Sequence, residues 1–427
     1  MNTMGQLYKY LPLPSDRMGV IWALATIKGA YIIEYGPAGT THYALEGLMQ
    51  YNGELQAKLY TTHLEENDII MGDSSRLADT IREVDGRHSP PVIFVLASSL
   101  SSIVGADIES ICHELRDEVQ AKLICFTGGG FRGDYTQGLR EVLTVLAGQI
   151  VKAPQEKLRG TYNIIGGTLD AYNYAADLQE IQQIMSAGFG YRLHTVFTAN
   201  TSIKEIEQAS QAEFNLVLRS EGIDCAEILQ EKYGMPYVYG SPYGIKGTYQ
   251  WIKNIESTCS LKGNDLYFAG QAGKAQKHLH KFAHTAFMYK NMTGILSGGY
   301  DFVLDILPFL RDELRLEIKK VLVKHKEKGF GRKLPASLKE ILLFDVDEEE
   351  MARLITEVNP SLLLGDGVLL ELGPHVPVRL QVANPNLSHV IKIYEHTPFM
   401  GFNGAVYLTE LLLNQLHANR KNLQARF

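Results

Sequence analysis

The sequence predicts an α/β protein of three successive doubly wound, Rossmann-like parallel-sheet domains around a shared central cleft, with a helix at the C-terminus. Three observations predict it. Short β-branched apolar runs alternate with longer amphipathic stretches, the alternation restarts twice, and 427 residues suffice for about three domains of ordinary size. Continuously apolar strands followed by helices mean βαβ units, because a strand covered by helices on both faces has no polar face to alternate.

In chain order, "YIIEYGPAGTTHYALEG" (Tyr31 to Gly47) is a strand that breaks at Gly-Pro-Ala-Gly and opens a helix at Thr40-Thr41. "VIFVLASS" (92–99) is followed by "IVGADIESICHELRDEV", and "AKLICFTGGG" (121–130) by "TQGLREVLTVLAGQI". These make a first domain over residues 1–158. "TYNIIGG" (161–167), the helix "DLQEIQQIMSAGFG", "RLHTVFT", "NLVLRSEG" and "MPYVYGSPYG" make a second over 159–265. The third, 266–427, runs from "AFMYKNMTGILSGGYDFVLDILPFLRDEL" through "EILLFDVDEEEMARLITEVNPSLLLGDG" to the last helix, "GAVYLTELLLNQLHANRK". The lysine-rich span Lys319–Lys339 reads as a solvated helix and loop. Ligands of such sheets bind beyond the carboxyl ends of the strands. Chemistry is therefore expected at the tips Gly36–Thr40, Ser98–Ser102, Gly128–Gly133, Gly166–Asp170, Arg219–Gly222 and Gly365–Gly367.

Hydrophobic residues make up 45% of the chain and charged residues 21%, the profile of a globular protein. A net charge of −7 argues against nucleic acid or an anionic membrane as the main partner. No apolar run reaches membrane-spanning length and no signal pattern opens the chain, so a cytoplasmic protein is expected. The four cysteines, Cys112, Cys125, Cys225 and Cys259, form no C-x-x-C pair. A disulfide framework and a self-contained zinc or iron–sulfur site are not expected.

Local motifs declare no chemistry. "TGGGFRGD" (127–134) offers backbone N–H groups and Arg132 to an anion, without dinucleotide spacing. "GQAGKAQKH" lacks the spacing of a phosphate-binding loop. His280 and His284 share a helix face, as zinc ligands would, but no third ligand is fixed nearby. The serines of "SLSS" (99–102) have no nucleophile elbow and suit a helix cap.

Taken together, several stretches resemble the nitrogenase component 1 superfamily, which includes nitrogenase subunits, cofactor-assembly scaffolds and tetrapyrrole reductases. "PLPSDRMGVIWALATIKGAYIIEYGPAGTTHYALEG" is similar to its proline-rich lead-in, strand, G-P-x-G-C corner and helix. "DIIMGDSSRLADTIREV", "VIFVLASSLSSIVGADIESI", "GGGFRGDYTQGLREVL", "EILQEKYGMPYV" and "HTPFMGFNGAVYLTELLLN" resemble later family segments in the same order. Members that share an interface iron–sulfur cluster supply three cysteines per subunit. The matching positions here are Ser15, Thr40 and Ser99, all hydroxyls and not expected to be ligands. The cysteine and histidine that would hold a larger metallocofactor fall near Leu218, with Cys225 later, and at Met400, with His396 one turn upstream.

The resemblance thus implies a subunit of a nitrogenase-like oxidoreductase complex that receives electrons from an ATP-dependent iron–sulfur reductase and does not itself reduce nitrogen. Arg132, Tyr135, Gln137, Cys225, His396 and Met400 are its candidate cleft residues. It implies pairing with a homologous subunit, as a homodimer or heterodimer. No cofactor is expected on the chain's own cysteines, and an iron–sulfur cluster or metallocofactor would be shared with that partner. The alternative is a scaffold or carrier that binds a metallocofactor or tetrapyrrole without reducing it.

Overall fold

The computed structural model describes residues 13–42, 55–286, 292–325, 338–387 and 396–424. Among the described residues, thirteen strands form three sheets, and every pairing between them is parallel. The first sheet contains β1 (Tyr31–Tyr35), β2 (Lys58–Thr61), β3 (Val92–Ala97) and β4 (Lys122–Phe126), in the order β2-β1-β3-β4. The second contains β5 (Thr161–Gly167), β6 (Arg192–Thr198), β7 (Phe214–Val217) and β8 (Tyr237–Tyr239), in the order β6-β5-β7-β8. The third contains β9 (Thr293–Gly298), β10 (Glu317–Val323), β11 (Leu342–Phe344), β12 (Leu362–Gly365) and β13 (Val378–Gln381), in the order β11-β10-β9-β12-β13.

Each sheet therefore starts at an interior strand and grows outward both ways. That order creates a switch point beside β1, β5 and β9, where successive connections leave on opposite faces and a crevice opens. The expected three-sheet α/β architecture is present, with the C-terminal helix Gly401–Ala418 packed on the helix Asp265–Ala286. β3, β5 and β12 are buried at every residue, as strands covered on both faces must be.

The lysine-rich span departs from its reading. Its first residues belong to β10, where Glu317 and Lys319 are exposed while Ile318 and Val321 are buried. The two adjacent lysines masked an alternating strand; residues 326–337 of the span lie outside the described residues.

The first two sheets share one apolar core. Trp22 and Leu24 of the helix Asp16–Ala25, Phe94 of β3 and Phe197 of β6 all belong to it. Hydrogen bonds cross the same boundary: Lys28 N–H donates to Thr201 O (2.7 Å) and the Thr26 hydroxyl to Thr198 O (3.3 Å). A second core joins the middle and last sheets to the C-terminal helix through Phe214, Phe309, Phe399 and Phe402.

Candidate functional site

The carboxyl tips of the second and third sheets face each other across a cavity of about 200 Å³. Gly166–Gly167 at the end of β5, Arg219 after β7, Tyr300–Asp301 after β9, His325 after β10 and Ala383–Pro385 after β13 all line it. The first sheet's unit contributes Tyr135 at the start of the helix Tyr135–Val145, and Leu13 and Pro14 of the lead-in.

The floor is a buried cluster of opposite charges. Arg219 Nη1 donates to Asp170 Oδ2 at 2.6 Å and to Thr168 Oγ1 at 3.0 Å. Its Nε and Nη2 form a two-pronged pair with Glu221, at 3.0 and 3.1 Å. The three side chains are 15%, 7% and 4% exposed, so water screens this cluster little. Gly166 makes the arrangement possible. Its φ is +87°, and a Cβ there would lie 2.5 Å from Arg219 Cγ.

Asp301 adds a third carboxyl, in the first turn of the helix Tyr300–Pro308. Its Oδ2 accepts from the Ser220 N–H and hydroxyl, each at 2.8 Å, and its Oδ1 accepts from the Tyr239 hydroxyl. Burial works against the charge on Arg219, but the flanking Asp170 and Glu221 overcome it and hold its pKa above the ordinary arginine value. Burial would likewise raise Glu221, and Arg219 overcomes it, so Glu221 is lowered. Asp301 is raised, by burial first and the nearby Glu221 second, because its own partners are neutral donors. His325, 1% exposed, accepts the Tyr300 N–H at Nε2 (3.2 Å). Lys324 pairs with Asp366 at 3.0 Å.

Aromatic rings form much of the wall. Tyr172 stacks on Phe399 with centroids 6.1 Å apart, and Tyr243 meets Phe302 edge-on at 5.6 Å. The wall segment at Phe399 is fastened to the second unit: Phe399 and Met400 N–H both donate to Asp177 Oδ1, at 2.6 and 2.9 Å.

Of the six candidate cleft residues, Tyr135 and Met400 line this cavity. The other four are placed off its wall. Arg132 is exposed and bonds Thr127 Oγ1 (2.7 Å), with Glu141 3.7 Å away. Gln137 is half-buried on the helix Tyr135–Val145. Cys225 is fully buried in the core shared by the first two sheets, where burial pushes its thiol pKa up. His396 is exposed ahead of Phe399.

The three cluster-equivalent hydroxyls lie at the first sheet's switch point. Ser15 precedes the helix Asp16–Ala25, Thr40 follows β1, and Ser99 opens the helix Ser99–Ile103. A Cβ built on Gly130 would lie 3.3 Å from Ser15 Oγ and 3.2 Å from Ser99 Oγ, so these two converge on the glycine loop. Thr40 Oγ1 instead donates to Pro37 O at 2.9 Å. Three neutral hydroxyls, one of them bonded within its own turn, do not fit a cluster of iron and sulfide. A buried pair props the corner: Arg17 bonds Glu34, which accepts from Thr41, and Arg17 Nη2 reaches Thr40 O at 3.1 Å. Two of the glycine loop's own donors are engaged. Arg132 N–H bonds Asp16 Oδ1 (3.3 Å) and Phe131 N–H bonds Gly128 O (3.1 Å). His278, His280 and His284 are exposed on the helix Asp265–Ala286, and no group of three metal-ligating side chains occurs among the described residues.

Sequence reasoning reached Asp170 and Arg219 only as strand tips and missed Asp301 and His325. A signal existed for Asp301: "SGGYD" is an apolar strand running into Gly-Gly and a helix, the same grammar as the other tips. None of the described helices is long and apolar enough to cross a membrane.

Comparison with known proteins bears on this architecture. The chain is 21% identical over 417 residues to a subunit of the light-independent protochlorophyllide reductase of Nostoc punctiforme, covering 93% of this chain and 81% of that one. It is 27% identical over 248 residues to the nitrogenase iron-molybdenum cofactor biosynthesis protein NifE of Clostridium pasteurianum, covering 57% of this chain and 52% of that one. A solved structure, "Nitrogenase Cp1 at pH 6.5", shares the fold with a TM-score of 0.81 at 16% identity, covering 99% of this chain and 96% of that one. The family model for nitrogenase component 1 type oxidoreductases matches residues 15–417, nearly the whole length, and the chain belongs to that family.

Proposed function

We propose that the chain is the cleft-bearing subunit of a nitrogenase-like oxidoreductase complex whose substrate is a conjugated organic molecule. Electrons would come from an ATP-dependent iron–sulfur reductase, and nitrogen is not the substrate. The observation that carries this reading is the cleft itself, walled by Tyr172, Tyr243, Phe302 and Phe399 over a carboxylate floor. Flat aromatic walls suit a flat conjugated ligand. His325 is the lone imidazole on the described lining, and no cysteine stands there to grip a metal cluster. The relative from a protochlorophyllide reductase, covered over four-fifths of its length, points the same way.

Pairing with a homologous subunit is supported at the first sheet. Ile70, Met71, Ile103, Val104 and Phe131 are exposed, in segments that follow β2, β3 and β4, and Phe131 adjoins Gly130, the glycine beside the hydroxyls of Ser15 and Ser99. An apolar rim around that corner suits a partner surface, and a thiolate-bearing partner would supply what the hydroxyls lack. The match to NifE favours a second reading, a scaffold that holds a metallocofactor or tetrapyrrole without turnover.

The test is anaerobic co-expression with a cysteine-bearing homologue, followed by iron, sulfide and visible-spectrum analysis of the purified complex. A brown complex that turns over an organic acceptor with the reductase and ATP supports the first reading. Tight ligand binding without ATP-dependent turnover supports the scaffold. A colourless chain that never associates with a homologue sinks both.

A further inference from the structure

The cleft floor carries an acceptor that nothing in the described structure satisfies. Asp170 stands in the cleft wall, its side chain is 7% exposed, and its Oδ2 holds Arg219. Its Oδ1 is buried and accepts no hydrogen bond. A buried carboxylate oxygen without a donor is unfavourable, and a ligand that brings one relieves it.

The cations of the floor are engaged. Arg219 directs its donors to Asp170, Glu221 and Thr168, and Lys324 pairs with Asp366. Asp170 and Glu221 thus share one guanidinium, both nearly buried, and the buried Asp301 stands beyond them on Ser220 and Tyr239. An incoming anion would meet this excess of carboxyls at low dielectric, whereas a nitrogen donor would meet acceptors.

We propose that the floor binds its ligand through a positively charged or N–H-donating nitrogen, with Asp170 Oδ1 as the acceptor, and disfavours a carboxylate or other anion. The class comprises amidines, protonated amines and conjugated heterocycles with ring N–H groups. The inference rests on the cleft being a site for an organic ligand and adds the polarity of the group that reaches its floor.

Benzamidinium and benzoate test it. They share a flat shape that suits a cavity of this size and differ in the sign of the charged end. Binding to the full chain is measured by saturation-transfer NMR and calorimetry at low and high salt. Benzamidinium should bind at least about tenfold tighter, a ratio typical of one charge-assisted hydrogen bond. Asp170→Asn should remove most of that preference while leaving benzoate no weaker. The preference should persist at high salt, because buried pairs are screened less than surface ones.

Equal or tighter binding of benzoate to the natural chain overturns the inference, and this ratio needs no variant that could misfold. A preference that vanishes with salt and survives Asp170→Asn overturns it as well, since it would be surface attraction to a negatively charged chain. If neither probe binds, the floor is no ligand site and the inference falls. Association with a homologous subunit, the readout for the proposed function, is unaffected by that result.

Discussion

Replacing Arg219 with methionine removes one guanidinium and leaves two carboxylates, Asp170 and Glu221, 7% and 4% exposed. Asp301 stands beside them with its pKa already raised by burial and by Glu221. Removing one partner of a buried ion pair costs about 3–5 kcal/mol, because the remaining charge is left uncompensated. At roughly 1 °C per kcal/mol for a chain of 427 residues, the thermal midpoint should fall by about 3–6 °C at pH 7.5.

The pH dependence separates this cause from lost packing. In the natural protein Glu221 is lowered, so its contribution is present above the unfolded pKa and is lost as pH falls through the folded value. In the variant, burial dominates and the folded pKa of Glu221 lies above the unfolded one. The penalty then grows as pH rises and shrinks as pH falls towards 5. Scanning calorimetry between pH 5 and 8 reads both effects. A variant that melts with the natural chain at pH 7.5 refutes the charge argument. So does a deficit that stays constant across that range.

Other outcomes follow from the same geometry. Arg17→Met should cost about 3–5 kcal/mol by stranding the buried Glu34, and adding Glu34→Gln should restore much of it in denaturant titrations. Asp301→Asn should help stability more at pH 8 than at pH 5, because a carboxyl whose pKa is raised on folding loses its contribution as pH rises; equal effects at both pH values would count against it. Cys225 should resist a thiol reagent at pH 8 until the chain is denatured, as its burial implies; mass spectrometry of labelled peptides reads this directly. Ser15→Cys with Thr40→Cys and Ser99→Cys should let the chain take up iron and sulfide in anaerobic reconstitution where the natural chain does not. A colourless triple variant would show that donor type alone does not explain the corner.

Much of the fold was legible because its strands are buried on both faces. "VIFVLA" and "TYNIIGG" have no polar face, so their length and their helical neighbours identify them. β10 was harder: "EIKKVLV" sets Lys319 and Lys320 side by side at the start of an alternating strand, and charge concealed the period of two. The strand tips were legible too, as apolar runs ending in glycine. A shared cleft was expected, but which tips meet in it was not legible, because that depends on sheet order, with β5 beside β7 and β9 beside β12, which local periodicity does not encode. Cys225 shows the converse error. Its position in the chain suggested a cleft, but it sits early in the helix Ile223–Tyr233 with its side chain turned into the core. The Arg219 cluster carries no motif at all, since its four residues come from three separate segments.

Three successive backbone N–H groups, of Phe399, Met400 and Gly401, donate into the second unit, to Asp177 Oδ1 twice and to Pro242 O at 2.6 Å. A cleft stitched in this way is bound like a book: those residues are its spine, and their bonds fix the spacing of the two leaves. Phe399, whose ring stands in the cleft wall, lies at that spine, where the eighteen-residue helix Gly401–Ala418 begins. That helix packs on Asp265–Ala286, so the residues that set the width of the cleft run straight into a pair of packed long helices.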